Sequence, residues 1–130
     1  MLNRREFVWG AAAGVGAMTV LGSETAEGAD PTMSLNVVYP NKEGARFDAN
    51  YYRATHIPMA MNVMKATSVL LIEGVANANA PAPFAMIAHF KFPSADALKT
   101  AVSDPRMAEV RADVAKFTDI VPTVMIGKTV

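Results

Sequence analysis

The sequence predicts an α+β domain of order β-α-β-β-α-β, a single antiparallel sheet with its helices on one face. Three observations point there. Alternating or continuously apolar stretches at 33–39, 68–76, 84–92 and 119–130 read as strands. Two stretches with helical spacing, each opened by a capping residue at Asp48 or Ser94, separate the first strand from the second and the third from the fourth. The connections are short and carry Asn, Gly and Pro.

In the first strand, MSLNVVY, Leu35, Val37 and Tyr39 share one face and Asn36 and Val38 the other, until Pro40 stops it. NKEGAR is a turn-forming loop, and Asp48 then stands as the N-cap of a helix starting at Ala49. Pro58 lacks an amide hydrogen, crowds the carbonyl four residues back and disfavours helical geometry at Ile57. A kink or break is expected there, with helix resuming through Met64. SVLLIEGVA is so continuously apolar that it reads as a buried strand, and NANAPAP can only connect.

The third strand, FAMIAHFKF, sets Phe84, Met86, Ala88, Phe90 and Phe92 against Ala85, Ile87, His89 and Lys91. Ser94 caps the helix SADALKTAV, and Asp104-Pro105 restarts it, with Met107, Val110, Val114 and Phe117 at helical spacing. In DIVPTVMIGKTV, Pro122 marks an edge strand or a bulge. The order is the ferredoxin-like one. Strands two and four supply apolar residues in both phases, so the sheet face away from the helices is too apolar to be left to water. Two sheets placed face to face would bury it, and a homodimer is expected.

The chain opens with MLNRREFVWG AAAGVGAMTV LGSETAEGAD: Arg4 and Arg5, an uncharged run over 7–23, then a small polar stretch. That is the layout of an export signal. NRREFVW resembles the twin-arginine motif, with Asn3 where Ser or Thr is commoner and Trp9 where lysine is often found. The run is shorter than the roughly 20 apolar residues of a spanning helix and is diluted by Gly and Ala, so no permanent membrane anchor is expected. Residues 1–29 are therefore read as the signal and 30–130 as the domain, delivered by the twin-arginine machinery to the periplasm or otherwise exported.

The chain carries 12 basic and 12 acidic residues; after residue 29 ten basic face nine acidic. No basic stripe is left for a phosphate backbone, and nucleic acid is not an expected partner. The absence of cysteine removes disulfides, thiolate metal sites and a Cys nucleophile. A domain of roughly 100 residues has an adequate core, to which a dimer surface would add.

At about 100° per residue, Tyr52, His56, Met59 and Val63 form one helix stripe, and Ile57, Met61 and Met64 another. Tyr52 and His56, four apart, present a phenol and an imidazole together. His89 lies opposite the Phe-rich face and looks toward the space between two sheets, beside Ile87, with Asn36 and Val38 as neighbours on strand one. Imidazole both takes and gives a proton near neutrality, which makes His56 the candidate general acid/base. Tyr52 or Tyr39 is its candidate hydrogen-bonding partner, and His89 a second polar group in an otherwise apolar cavity. The bland alternative is that His56 hydrogen-bonds a carbonyl and holds the kink. Asp48 reads as a cap rather than an acid, and Tyr51 as packing or interface.

Met59, Met61 and Met64 near His56 could suit Cu(I), but methionine is also the ordinary filler of irregular apolar space. Two distant histidines without paired carboxylates make no zinc set. No metal and no resident cofactor are expected; heme through His56 or His89 is the one cofactor left to weigh.

VVYPNKEGARFDANYYRATHIPM, PFAMIAHFKFPSADAL and TDIVPTVMIG together resemble the EthD family of dimeric α/β-barrel proteins, over essentially the whole chain after the signal. The first block is the most specific, through Tyr39-Pro40, Phe47-Asp48, Tyr51-Tyr52, His56 and Pro58; His89, Phe92, Asp119 and Pro122 add to it. The resemblance implies a dimeric barrel associated with degradation of ethers and other small organics or with tailoring of small aromatic products. Members are often labelled reductase or oxidoreductase, and related barrels include monooxygenases, isomerases, decarboxylating or dehydrating enzymes and heme binders. The expected protein binds a small, largely apolar organic molecule between sheet and helices. It is then an enzyme of oxidoreductase type in which His56 moves a proton, or a non-catalytic binding or accessory protein. A third reading makes the dimer surface the whole function.

Overall fold

The structure, a computed structural model, describes residues 31–130; the signal expected over 1–29 lies outside them. In chain order come β1 (Met33–Pro40), α1 (Ala49–Tyr51), a π-helical turn (Tyr52–His56), α2 (Ile57–Met64), β2 (Ser68–Glu73) and β3 (Phe84–Phe92). These are followed by α3 (Ala95–Ser103), α4 (Met107–Asp113), a 3-10 turn (Val114–Lys116) and β4 (Thr123–Lys128). The four strands form one sheet in the order β2-β3-β1-β4, each neighbouring pair antiparallel. This is the expected ferredoxin-like α+β arrangement, and among the described residues no helix is long and apolar enough to cross a membrane.

Strand alternation decides which side chains meet the helices. Leu35 and Tyr39 on β1 and Met86, Ala88, Phe90 and Phe92 on β3 are all buried in the core. The alternate set, Asn36 opposite His89 and Val38 opposite Ile87, lies on the other face.

β2 corrects one expectation. It is an edge strand, and Leu70 and Ile72 are 58% and 47% exposed rather than buried. The continuous apolar run reflects a sheet face with nothing laid on it in the single chain, not burial on both faces. The strand also ends at Glu73, short of Ala76, and Gly74 beyond it runs so close to β3 that a Cβ there would overlap the Phe84 carbonyl oxygen.

Both caps form as expected. Asp48 Oδ1 accepts the Tyr51 N–H at 3.1 Å, and Ser94 Oγ accepts the Ala97 N–H at 3.1 Å. Pro58 neither breaks nor stops the helix, which continues into α2 with the proline in its first turn. The disturbance appears one turn earlier: Ile57 N–H donates to Tyr52 O, closing a wider π-type loop. Widening the backbone before the proline relieves the crowding its ring would impose on an ordinary turn. After Met64 the helix closes on Lys65 in the left-handed region, φ 54°.

Candidate functional site

The loop entering α1 is tied to the end of α4, and this sets the site. Phe47 and Thr118 form an isolated antiparallel bridge, and Asp48 N–H donates to Phe117 O at 2.8 Å. Thr118 Oγ1 donates to Arg46 O at 2.6 Å. The Arg46 guanidinium donates to the Ala115 and Lys116 carbonyls at 3.0 and 3.1 Å, serving acceptors that a helix end leaves without partners. The π-helical turn is thereby held against α4.

Across that junction His56 Nδ1 lies 2.9 Å from Asp113 Oδ2, with His56 5% and Asp113 3% exposed. Tyr51 donates its hydroxyl to the other oxygen, Oδ1, at 2.8 Å, and Lys116 Nζ stands 3.7 Å from it. Burial works against charge on Asp113. The hydrogen bonds from His56 and Tyr51, with the charges of His56 and Lys116, outweigh it and hold the carboxyl below its ordinary value.

An ionised carboxylate only accepts, so Nδ1 carries the hydrogen, and Nε2 is the acceptor whenever the ring is neutral. Tyr52 stacks on the imidazole at 5.6 Å and 18°, while Phe117 tilts against it at 4.6 Å. Tyr39 meets Tyr52 edge-on at 5.7 Å. Burial pushes the Tyr39 phenol up to about 12, partly offset by the Tyr52 hydroxyl, and burial followed by Tyr39 raises Tyr52 as well. Both phenols stay protonated at neutral pH and can donate but not serve as bases.

Tyr39, Tyr52 and His56 line a cavity of about 290 Å³ between sheet and helices, with Pro122, Val124 and Ile126 also on its wall. Its walls are otherwise apolar, with Leu35, Val37 and Phe90 from the sheet and Ala60, Met64 and Val110 from the helices. Arg111 is the one permanently charged side chain among its lining residues.

The residues expected to share one site divide in two. Tyr39, Tyr52 and His56 come together. Met59 does not join them: after the π-helical turn it is Ala60 and Met64 that face the cavity, because the wider loop shifts the helical phase. His89, Asn36, Val38 and Ile87 lie on the opposite face of the sheet. There His89 Nδ1 meets Asn36 Oδ1 at 2.6 Å, and Asn36 Nδ2 donates to Ser34 Oγ at 3.0 Å and Met125 O at 3.2 Å. The two histidines do not look into one hollow. Nor does His56 hold a backbone carbonyl, since its Nδ1 partner is a carboxylate.

Asp113 and Arg111 are site residues that the sequence did not single out, and Tyr51, expected as packing or interface, is the second partner of Asp113. Asp113 had a signal: it falls three residues after Val110 and four before Phe117, an acid on the apolar stripe of its helix, where an unpaired charge would be costly. Among the described residues no three His, Cys, Asp or Glu side chains gather as a metal would need.

Comparison with known proteins agrees with this architecture. The EthD domain model matches residues 44–120, which include Tyr51, Tyr52, His56, Arg111 and Asp113. The crystal structure of an EthD-like protein from Ralstonia eutropha JMP134 is 32% identical, with a TM-score of 0.72 over 78% of this chain and 94% of that one. An ethyl tert-butyl ether D (EthD) family protein from Bacillus halodurans C-125 is 18% identical, with a TM-score of 0.62 over 76% of this chain and 99% of that one, a likeness of fold alone. No curated protein matches the chain. With the domain model spanning more than half of its length and 32% identity over 78% of the chain to an EthD-like protein of the same architecture, this chain belongs to the EthD domain family.

Proposed function

We propose that this protein is an enzyme for a small, largely apolar organic molecule, with His56 Nε2 as the base that takes a proton from the bound molecule and returns it. The observation that carries the reading is the buried His56–Asp113 hydrogen bond at the wall of an apolar cavity. A carboxylate behind Nδ1 fixes the tautomer and steadies the imidazolium that forms when Nε2 is protonated. Tyr52 orients the ring by stacking and gives its hydroxyl hydrogen to Tyr39, which leaves the Tyr39 hydroxyl as the donor for an oxygen on the ligand. What this geometry supports directly is redox-neutral proton transfer, with Nε2 taking a proton from one position of the bound molecule and returning it at another, as in an isomerisation. An oxidoreductase, the class the family resemblance implies, would in addition pass two electrons to an acceptor such as dioxygen.

A carrier or accessory protein is the second reading. It is favoured by the lining itself, in which His56 is the only side chain able to exchange a proton near neutrality. The test separates binding from turnover. A panel of small aryl and alkyl ethers, ketones and phenols is screened by calorimetry and by mass spectrometry, with native protein and His56→Gln. Turnover lost with binding kept supports the enzyme; binding without turnover in both proteins supports the carrier; no binding by native protein overturns both. A visible spectrum of protein from its native host checks for heme or flavin.

Two further proposals concern the surroundings. The exposed Leu70, Ile72 and Met125 around the His89–Asn36 pair support a homodimer built sheet to sheet. Arg4 and Arg5 before an uncharged run support twin-arginine export to the periplasm.

A further inference from the structure

We infer that the ligand of this cavity is an organic acid: an apolar skeleton carrying one carboxylate, seated with the carboxylate at Arg111 and the skeleton reaching toward His56. The inference rests on the cavity being the binding site. Three observations carry it. The walls are hydrocarbon and aromatic almost throughout, which suits a flat or compact apolar body. Against them stands one permanent charge, Arg111, exposed on α4.

Among the described residues Arg111, like most of the basic side chains, makes no ion pair, which leaves its donors open to a ligand; Arg46, Arg106 and Lys116 are the ones that reach an aspartate. The acid next to it in sequence on the buried side of α4, Asp113, is occupied by His56 and Tyr51. A guanidinium presents a planar fork of N–H donors that matches a carboxylate bidentately, and Arg111, exposed yet among the lining residues, can take the charged end of a ligand whose body lies against the apolar wall. The division of labour is then chemical. Arg111 holds the charge of the acid, the hydrocarbon wall excludes water from its body, and His56 meets the far end.

The test compares 2-naphthoate with 2-naphthamide, which share shape and differ in charge, by calorimetry on the full chain at neutral pH. Native protein should bind the acid roughly tenfold more tightly than the amide, the scale of one charge-assisted hydrogen-bond pair. Arg111→Gln should abolish that gap while leaving the amide unchanged, and Arg111→Lys should keep part of it. His56→Gln should keep the gap. Equal binding of the two probes by native protein overturns the inference, as does a gap that survives Arg111→Gln. A gap lost in His56→Gln and kept in Arg111→Gln also overturns it, moving the anion to the imidazole. If native protein binds neither probe, the cavity reading itself has failed and the inference falls with it.

Discussion

His56 Nδ1 and Asp113 Oδ2, separated by 57 residues in the chain, lie 2.9 Å apart in the interior. The contact joins the π-helical turn to the last residue of α4, so one hydrogen bond both closes the helical layer and selects the ring nitrogen that the cavity sees. Asp113→Ala should cost about 3 kcal/mol, because it leaves a buried imidazole without its partner. Chemical denaturation reads the loss. Long-range ¹H–¹⁵N spectra of the imidazole should show the Nδ1–H form in native protein and a mixture of tautomers in the variant. An unchanged tautomer in Asp113→Ala would remove the carboxylate from its assigned role.

The same carboxyl sets a pH dependence. In the folded chain Asp113 is held below its ordinary value, so between the two values the unfolded chain binds the extra proton and stability rises with pH. Its contribution is complete above the ordinary carboxyl range near pH 4 and disappears as pH falls through the folded value. The urea midpoints of native protein and Asp113→Asn, measured from pH 7 downward, should therefore converge on acidification. Asp104, held down to about 2 by Arg106, carries the part of the acid limb that both proteins retain.

Phe117 is fully buried and packs against Tyr39, Phe47, Tyr52 and His56 at centroid distances of 4.6 to 5.9 Å. Phe117→Ala should lose about 3 to 5 kcal/mol, a large part of the stability of a domain this size. Thermal unfolding checks this, and Phe117→Leu should recover most of the loss.

If two copies meet sheet to sheet, Ile72→Glu combined with Met125→Glu should give a folded monomer by sedimentation while native protein sediments as a dimer. Each substitution sets a charge on a surface that would otherwise be desolvated. A native monomer at micromolar concentration would rule out the sheet-to-sheet pairing as a stable state.

Replacing Arg4 and Arg5 by Lys should leave the precursor in the cytoplasm if twin-arginine export operates, because that route reads the arginine pair itself. Cell fractionation with antibody detection scores it. Unimpaired export of the double variant points to the general secretory route.

The fold was legible because each element carries its own local signal. Strand alternation placed the β1 and β3 faces correctly, and Asp48 and Ser94 cap where a short polar side chain precedes a helical stretch. The placement of β2 as buried failed because an apolar residue reads the same whether its own chain or nothing at all covers it. Within the site, His56 and Tyr52 were legible from their spacing, since four residues share a helix face even through the π-helical turn. Met59 was not, because phase beyond that turn depends on a backbone hydrogen bond that no residue type announces. Asp113 was visible as an acid on an apolar stripe, but its partner lies 57 residues away, and only the tertiary fold joins them.

The link from Ile57 N–H to Tyr52 O lodges one residue more in its loop than regular helix would. Removing a single residue between those two positions would let the backbone wind normally without opening a gap. His56 would then follow Tyr52 by three residues rather than four, turning the imidazole relative to the phenol and to Asp113. Chain length across six residues is therefore as much a determinant of this constellation as side-chain identity. A relative one residue shorter there would keep the architecture and lose the arrangement, even with every aromatic and acidic group still spelled out in its sequence.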